Sequence, residues 1–390
     1  MLAGLMLATS CSKDDGTSVV DEAIITSPEH AVGQPVAKRA YPLTIQAKRE
    51  TSFSKISLGG DGLSQVFDAG ENLTLVCVDE GVDLSIPLSM VSGAGTTSAV
   101  FSIDDMGEEA VGKTFRAEIK GTEYADGVKY STASLAEAVH KYCYLQATAD
   151  FTYTEGATIP TLSLADQRAY IAFSVADGQK KVSLKKSTDA DYSWYPVKDN
   201  KVWFAVNGGE TYSTRLKKKE LTAEKSKVYS VTEPDVVDLG LSVLWKNTNE
   251  AGDDDKGWSI LYDQPDKETS PYKDEYYFDW NYAGDADRSL RLPSKTELED
   301  LTTFANHIYW GTWNGMTCKI FSNEYGELFF PAAGNGGGGN AGNSGAYWSG
   351  EEARYPFVYY LYFEKTSATF QTMNPITFPR YLSTRLVRDL

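Results

Sequence analysis

Cysteine is scarce: the 390 residues hold four, Cys11, Cys77, Cys143 and Cys318, and no two stand in a CxxC spacing. That excludes a zinc-ribbon framework and leaves no signal of a disulfide scaffold. Cys77 and Cys143 sit among apolar neighbours and are expected to be buried thiols acting as small hydrophobes, with a bridge between them as the alternative. Histidine is scarcer still. His30, His140 and His307 have no Ser, Cys or Asp partner at a recognisable catalytic spacing, so no motif argues for an enzyme. Basic residues are outnumbered, 37 Lys and Arg against 54 Asp and Glu, for a net charge of -17. Such a surface repels phosphate backbones, which excludes nucleic acid as a partner class, and charge alone would not hold it on an anionic bilayer. Mean hydropathy is -0.35, which excludes a multi-span helical membrane protein. The glycine-rich stretch Gly334 to Gly345 lacks a GK[ST] ending, so it is no phosphate cradle. Asp253-Asp254-Asp255 is expected to be a solvated acidic loop rather than a calcium site, and no motif implies a cofactor or a metal.

What the chain does have is period-two alternation. Apolar residues make up 42% of it and aromatics 12%, a globular composition. Leu43/Ile45/Ala47, Leu73/Leu75/Cys77, Val100 to Ile103 and Phe115/Ala117/Ile119 each read as a short strand bounded by Gly, Asp, Asn or Ser. A second set runs from Leu145 to Tyr153 and continues with Tyr170 to Val175, Val202 to Val206 and Lys227 to Val231. Ala176-Asp177-Gly178 and Asn207-Gly208-Gly209 are expected hairpin turns. Such spacing predicts all-β sandwiches. Ser134 to Val139 is the one weak helical segment in this part, and Lys217-Lys218-Lys219 reads as a solvent-facing strand or turn.

Composition steps at Glu233-Pro234-Asp235. Residues 235–390 hold six of the eight Trp and 28 aromatics, against 20 in the longer part before, so a domain boundary is placed there and the segment is expected to fold alone. Within it Ser294, followed three residues later by Glu297, predicts a capping box. Leu298, Leu301, Phe304 and Ala305 would form the apolar face of the helix that follows.

The N-terminal run Leu5-Met6-Leu7-Ala8-Thr9-Ser10-Cys11 resembles the lipobox of bacterial lipoproteins, and the Lys13-Asp14-Asp15 behind it resembles a surface-export signal of Gram-negative gut anaerobes. The resemblance implies a signal over residues 1–10, expected to be truncated because no basic residue precedes the apolar run. It implies lipid on Cys11 and a tether over residues 11–40 that contacts the outer membrane only through that anchor. Each buried methylene contributes roughly 0.8 kcal/mol, so several acyl chains hold firmly.

Two further resemblances cover the rest. The strand Leu43-Thr44-Ile45-Gln46-Ala47, the segment Ala169-Tyr170-Ile171-Ala172-Phe173-Ser174-Val175, and the closing Leu221-Thr222-Ala223-x-Lys225-x-x-Val228-Tyr229-x-Val231 are similar to the fimbrillin-like family of lipoprotein pilus subunits. That implies tandem β-sandwiches over 41–144 and 145–232. It also implies partnership with other fimbrial subunits by β-strand addition, after trypsin-like processing at Arg39 or Arg49. Lys38-Arg39 and Lys48-Arg49 both look exposed. A cut at Arg49 would strip Leu43, Ile45 and Ala47 from the sandwich and leave an edge for an incoming strand.

Downstream, Val237 to Val243 with Trp245, then Leu290-Arg291-Leu292-Pro293-Ser294, Phe330-Pro331-Ala332-Ala333-Gly334, Tyr347-Trp348-Ser349 and Arg385-Leu386-Val387-Arg388 resemble the FISUMP-type major paralogous domain. That implies an α+β C-type lectin-like fold over 235–390. Lys246 to Ala251 replaces the usual Cys-bearing stretch, so Cys318 is expected to stay unpaired, and with one cysteine the segment lacks the reactive pair of formylglycine-generating enzymes. Trp245 and Trp348 are expected in the core. Trp310, Trp313 and Tyr347 are the candidate ligand platform, since flat rings with polar edges suit a sugar face or a protein loop. The reading is a mainly β surface adhesin without catalysis, at a fimbrial tip, whose ligand is a host or bacterial surface glycan or protein. The alternative is a non-polymerising glycan-binding lipoprotein of a polysaccharide uptake system.

Overall fold

The computed structural model describes residues 39–50, 66–249, 258–259, 270–271, 276–277, 290–305, 307–334, 340–373 and 382–390. Among them the chain is mainly β, with two short α-helices. Cys11 and Asp253 to Asp255 lie outside the described residues, as does the stretch 335–339 within the glycine-rich loop. No helix among the described residues is long and apolar enough to cross a membrane.

The first nine strands are β1 (Leu43–Arg49), β2 (Asn72–Cys77), β3 (Ser85–Ser92), β4 (Ser98–Ile103), β5 (Thr114–Lys120), β6 (Lys129–Ser131), β7 (Tyr144–Ala147), β8 (Phe151–Thr152) and β9 (Leu162–Asp166); helix α1 (Leu135–Tyr142) stands between β6 and β7. All but β6 form one sheet in the order β2-β3-β4-β1-β9-β7-β5-β8, and β2 also pairs with β5. That last pairing closes the sheet on itself, so β1 has a neighbour on each side and no edge is left within the ring. The alternating residues Leu43, Ile45, Leu73, Leu75, Phe101, Phe115, Ala117 and Leu164 turn inward into one core. The stretch expected as one strand from Leu145 to Tyr153 breaks into β7 and β8, and both belong to this first sheet. The expected divide at 144/145 therefore runs through the sheet.

The next set is β10 (Arg168–Val175), β11 (Lys181–Lys186), β12 (Ser193–Pro196), β13 (Lys201–Asn207), β14 (Thr211–Thr214), β15 (Lys217–Thr222) and β16 (Val228–Glu233). Together with β6 they build two facing four-stranded sheets, β16-β10-β13-β6 and β12-β11-β14-β15. Their inward residues, Phe173, Val182, Leu184, Phe204 and Tyr212 among them, share a core. Ala176 to Gly178 joins β10 to β11 and Asn207 to Gly209 joins β13 to β14. Each link passes from one sheet to the other, so neither is the hairpin turn expected from its sequence. A turn signature fixes a reversal of the chain but not which sheet the chain enters next. Lys217-Lys218-Lys219 lies exposed on the edge strand β15, where charge blunts edge-to-edge pairing. Helix α1, capped by the Ser134 hydroxyl, covers Tyr170, Ala205 and Val228 on the outer face of the β10-β13 sheet.

The remaining strands are β17 (Val236–Val237), β18 (Val243–Lys246), β19 (Trp258–Ser259), β20 (Tyr276–Tyr277), β21 (His307–Trp313), β22 (Met316–Ser322), β23 (Glu327–Pro331), β24 (Ser344–Arg354), β25 (Phe357–Glu364), β26 (Ala368–Met373) and β27 (Val387–Asp389), with helix α2 over Lys295–Phe304. They form small sheets, β17-β18-β27, β19-β20, β21-β22-β23 and β24-β25-β26. Trp245 and Trp348 are fully buried, as expected. The capping box at α2 is present: Ser294 Oγ accepts from the Glu297 amide at 3.2 Å and Glu297 accepts from the Ser294 amide at 2.8 Å. Leu298 and Leu301 are buried, whereas Phe304 in the last turn is exposed, because the helix ends there and leaves the core face. Ser294→Ala is expected to lower stability by about 1 kcal/mol, read from the urea midpoint at unchanged slope.

The cores interlock across Pro234. Val236 and Leu244 pack in the core of the second sandwich, while Ala176 packs with Trp245 and Phe321. The turn after β10 does most of the joining. Gln179 donates to the Asp238 carbonyl at 2.9 Å and accepts from the Asp238 amide at 2.8 Å. Lys180 reaches Glu327 at 2.8 Å, Lys181 reaches Glu324 at 2.7 Å, and the Trp194 and Tyr325 rings meet at 4.3 Å. Gly178 has φ +88°, and a Cβ there would strike the Glu327 carbonyl, so this contact requires glycine. The step in aromatic content at Pro234 is a change of sheet, not a break in packing.

Candidate functional site

Besides Cys11, which lies outside the described residues, two places were expected to carry function: the basic pairs around β1 and the aromatics of residues 235–390. Strand β1 runs antiparallel to β4, with Leu43 opposite Ile103 and Lys48 opposite Ser98. It runs parallel to β9, with Ala47 opposite Leu162 and Arg49 opposite Leu164. Its period of two sends Leu43, Ile45, Ala47 and Arg49 inward and leaves Thr44, Gln46 and Lys48 in solvent. Arg49 therefore is not the exposed site its sequence suggested. Only 3% of it is accessible, its guanidinium donates to Glu71 at 2.6 Å, and it lies 4.6 Å over the Phe67 ring. The backbone beside it is tied down as well, by Arg49 N to Thr97 O and Glu50 N to Leu164 O, both at 2.9 Å. A protease needs several residues of accessible, extended backbone, and a strand held on both sides offers none. Arg39, by contrast, is exposed ahead of β1. Limited trypsin digestion of the native protein is expected to cut this end after Lys38 or Arg39 and leave the Lys48-Arg49 bonds intact. Intact-mass analysis checks it, and early cleavage after Arg49 would contradict the burial.

The three candidate aromatics do not form a platform. Trp310 and Trp313 lie on β21, and a separation of three residues in a strand puts them on opposite faces. Trp310 packs edge-on against Phe363 at 6.1 Å with Lys319 Nζ 5.8 Å from its ring. Lys319 is buried and its ammonium donates to the carbonyls of Glu364 and Lys365 at 3.1 and 3.2 Å, and burial pulls its pKa below the ordinary lysine value. Trp313, on the other face, stacks on Phe329 at 5.4 Å with the rings 11° apart. Tyr347 is a core residue: it is fully buried, accepts from Asn249 Nδ2 at 3.0 Å and donates to the Pro331 carbonyl at 2.9 Å. A ring with no accessible face and a satisfied hydroxyl has nothing to offer a ligand. Cys77, Cys143 and Cys318 are buried thiols, Cys77 and Cys143 unbridged; burial pushes the Cys143 thiol up to about 12, so it stays protonated and unreactive.

A different aromatic cleft went unnoticed in the sequence. Tyr130 on β6, Tyr142 at the end of α1 and Tyr195 on β12 converge on a cavity of about 420 Å³ at the open edge of the second sandwich. They come from three elements, and no spacing in the chain signals their meeting.

No protein-family model matches the chain, and no curated protein does. Among solved structures it is similar to a fimbrial protein from Bacteroides ovatus, 12% identical over 90% of this chain and 100% of that one, with a TM-score of 0.25. It is also similar to a fimbrial assembly protein from Parabacteroides distasonis, 12% identical over 53% of this chain and 96% of that one, TM-score 0.28. A third is a tip fimbrial protein from Porphyromonas gingivalis, 9% identical over 45% of this chain and 78% of that one, TM-score 0.23. Similarity at this level assigns no function, and the mainly β architecture rests on the strands themselves.

Proposed function

We propose that this chain is a surface adhesin that binds without catalysis and joins a fibre by strand exchange at the β1 slot. The observation that supports this reading is the position of β1. It is the first strand of a closed sheet, it follows a polar segment, and it is held by β4 on one side and β9 on the other. Its loss would bare two facing edges around an apolar slot, and a strand from a neighbouring subunit could restore both ladders. Anchoring is by lipid on Cys11, and Cys11→Ser should release the protein from membrane fractions. Cleavage after Arg39 would separate the folded part from that anchor while leaving β1 in place. Strand release then requires displacement by the incoming strand rather than a cut at the buried Arg49.

The second sandwich ends in β16, which leads directly into β17, so among the described residues its closing strand continues into 235–390 rather than standing free as a donor. Such a subunit accepts a strand and does not pass one on, which suits a fibre tip with residues 235–390 facing outward. Those residues, with α2 packed on the β24-β25 hairpin, are read as a lectin-like recognition module. The test is to mix protein cleaved after Arg39, with β1 still in place, with fimbrial subunits of the source organism and look for a denaturant-resistant one-to-one complex. Monomeric protein alongside subunits that polymerise with each other would overturn the fibre reading. It would favour instead a non-polymerising surface glycan-binding lipoprotein, for which the tyrosine cleft is the supporting observation.

A further inference from the structure

The second sandwich is open along one side, between β6 at the end of one sheet and β12 at the end of the other. Tyr130 and Tyr195 close this gap from the two sheets, edge to face at 5.5 Å, and Tyr195 is fixed from behind by Phe204 at 4.9 Å. The floor and far wall come from Ser131, Thr132 and the first and last turns of α1, with Glu137 and Tyr142 facing the cavity of about 420 Å³. That volume lies within the usual range for small-ligand sites, roughly 300–1,000 Å³. Tyr130 remains 39% exposed even though it belongs to a strand, so part of its ring is available for stacking.

The chemistry of the walls selects the class of ligand. An added β-strand is disfavoured, because the Tyr130 carbonyl on this edge strand already accepts from the Tyr142 hydroxyl at 3.0 Å. An anionic ligand is disfavoured too. Lys141 is held between Glu137 at 2.9 Å and Glu123 at 3.1 Å, and with Lys129 the local count is two lysines against two carboxylates. Lys141 also holds the Glu137 carboxyl below its ordinary pKa, so Glu137 is an ionised acceptor at neutral pH. What is left is a neutral cleft with aromatic walls, hydroxyls and one fixed carboxylate acceptor. The C–H face of a pyranose stacks on a tyrosine ring, and its vicinal hydroxyls donate to a carboxylate.

We infer that this cleft is a binding site for a short neutral oligosaccharide, stacked on Tyr130 and hydrogen-bonded by Glu137. The site is independent of strand exchange at β1, and its failure would leave that reading untouched. The experiment is saturation-transfer NMR on the full chain with maltotriose, xylotriose, triacetylchitotriose and lactose as neutral probes and 3′-sialyllactose as the anionic one. At least one neutral probe is expected to receive saturation. Tyr130→Ala should weaken that binding by roughly tenfold, the scale of one lost stacking contact, while Tyr130→Phe, which keeps the ring, should retain it. Tyr130→Phe is expected to keep the wild-type unfolding midpoint, and Tyr130→Ala, which also loses the edge-to-face contact with Tyr195, to lower it slightly; the midpoint is measured alongside so that binding is read on folded protein. Absence of transfer to every neutral probe would overturn the inference, as would binding unchanged by Tyr130→Ala or binding confined to sialyllactose.

Discussion

Arg215→Ala is expected to lower stability by about 3–5 kcal/mol at neutral pH, as breaking a buried ion pair from one side does. Its partner Asp238 is fully buried at the joint between the second sandwich and the β17-β18 segment. Arg215 Nε donates to both Asp238 oxygens, at 3.0 and 3.3 Å, and its Nη2 donates to the Leu241 carbonyl. Without the guanidinium, the carboxylate keeps the Gly240 amide at 2.9 Å and little else. The pH dependence follows from sign. Burial raises the Asp238 pKa above the ordinary aspartate value, against the opposing pull of Arg215 and the Gly240 amide. For a group raised on folding, the stabilising contribution is complete below its unfolded pKa, near ~3.9, and is lost as pH rises through the folded value. Removing Arg215 raises that folded value further. The deficit of the variant should therefore be largest at pH 7 and shrink on acidification, and Asp238→Asn should recover part of it at pH 7. Urea unfolding at several pH values checks this. A deficit below 1 kcal/mol, or one independent of pH, would contradict the picture of a buried charge held by one cation. The same joint bears on residues 235–390 alone, which would lose Arg215, Gln179 and Trp194 together and expose Val236 and Leu244.

Removing residues through Arg49 should be as damaging to the first sheet. Burying a Leu or Ile side chain contributes about 1.5–3 kcal/mol, so losing Leu43 and Ile45 alone costs roughly 3–6 kcal/mol. A whole domain is stable by only about 5–15 kcal/mol. Glu71 would also lose Arg49, and Phe67 the cation above it. The shortened protein should show an early, separate unfolding transition by near-UV circular dichroism, or no native signal from this sheet at 25 °C. An unchanged urea profile would mean that β1 is an ornament of the sheet rather than part of its closure.

Local patterns in the sequence found both helices and a minority of the strands, β1, β2, β4, β5, β10, β13 and β16 among them, because these depend on neighbours a few residues apart. Leu43/Ile45/Ala47 alternates as β1 does, and Ser294 with Glu297 marks the start of α2. Pairing at a distance left no such trace. Nothing near Ala47 announces a parallel partner at Leu162, and nothing near Asn207 says that the chain changes sheets after it. Arg49 was readable in principle: it continues the inward phase of Leu43, Ile45 and Ala47. Its charge argued for the surface, and Glu71, the partner that makes burial tolerable, stands 22 residues away. Trp310 and Trp313 were grouped by nearness along the chain, yet once they lie on a strand that spacing separates them. The tyrosine cleft needs β6, α1 and β12 to meet, which only the fold supplies.

The central claim is that β1 is a replaceable strand in a closed sheet. It is tested most directly by adding a synthetic peptide of residues Tyr41–Arg49 to protein that begins at Glu50 and following the mixture by native mass spectrometry and urea unfolding. The expected result is one peptide retained per chain, with recovery of the unfolding midpoint, and no uptake of the same peptide carrying Ile45→Asp. Failure to take up the peptide at large excess, or uptake that restores no stability, would contradict it.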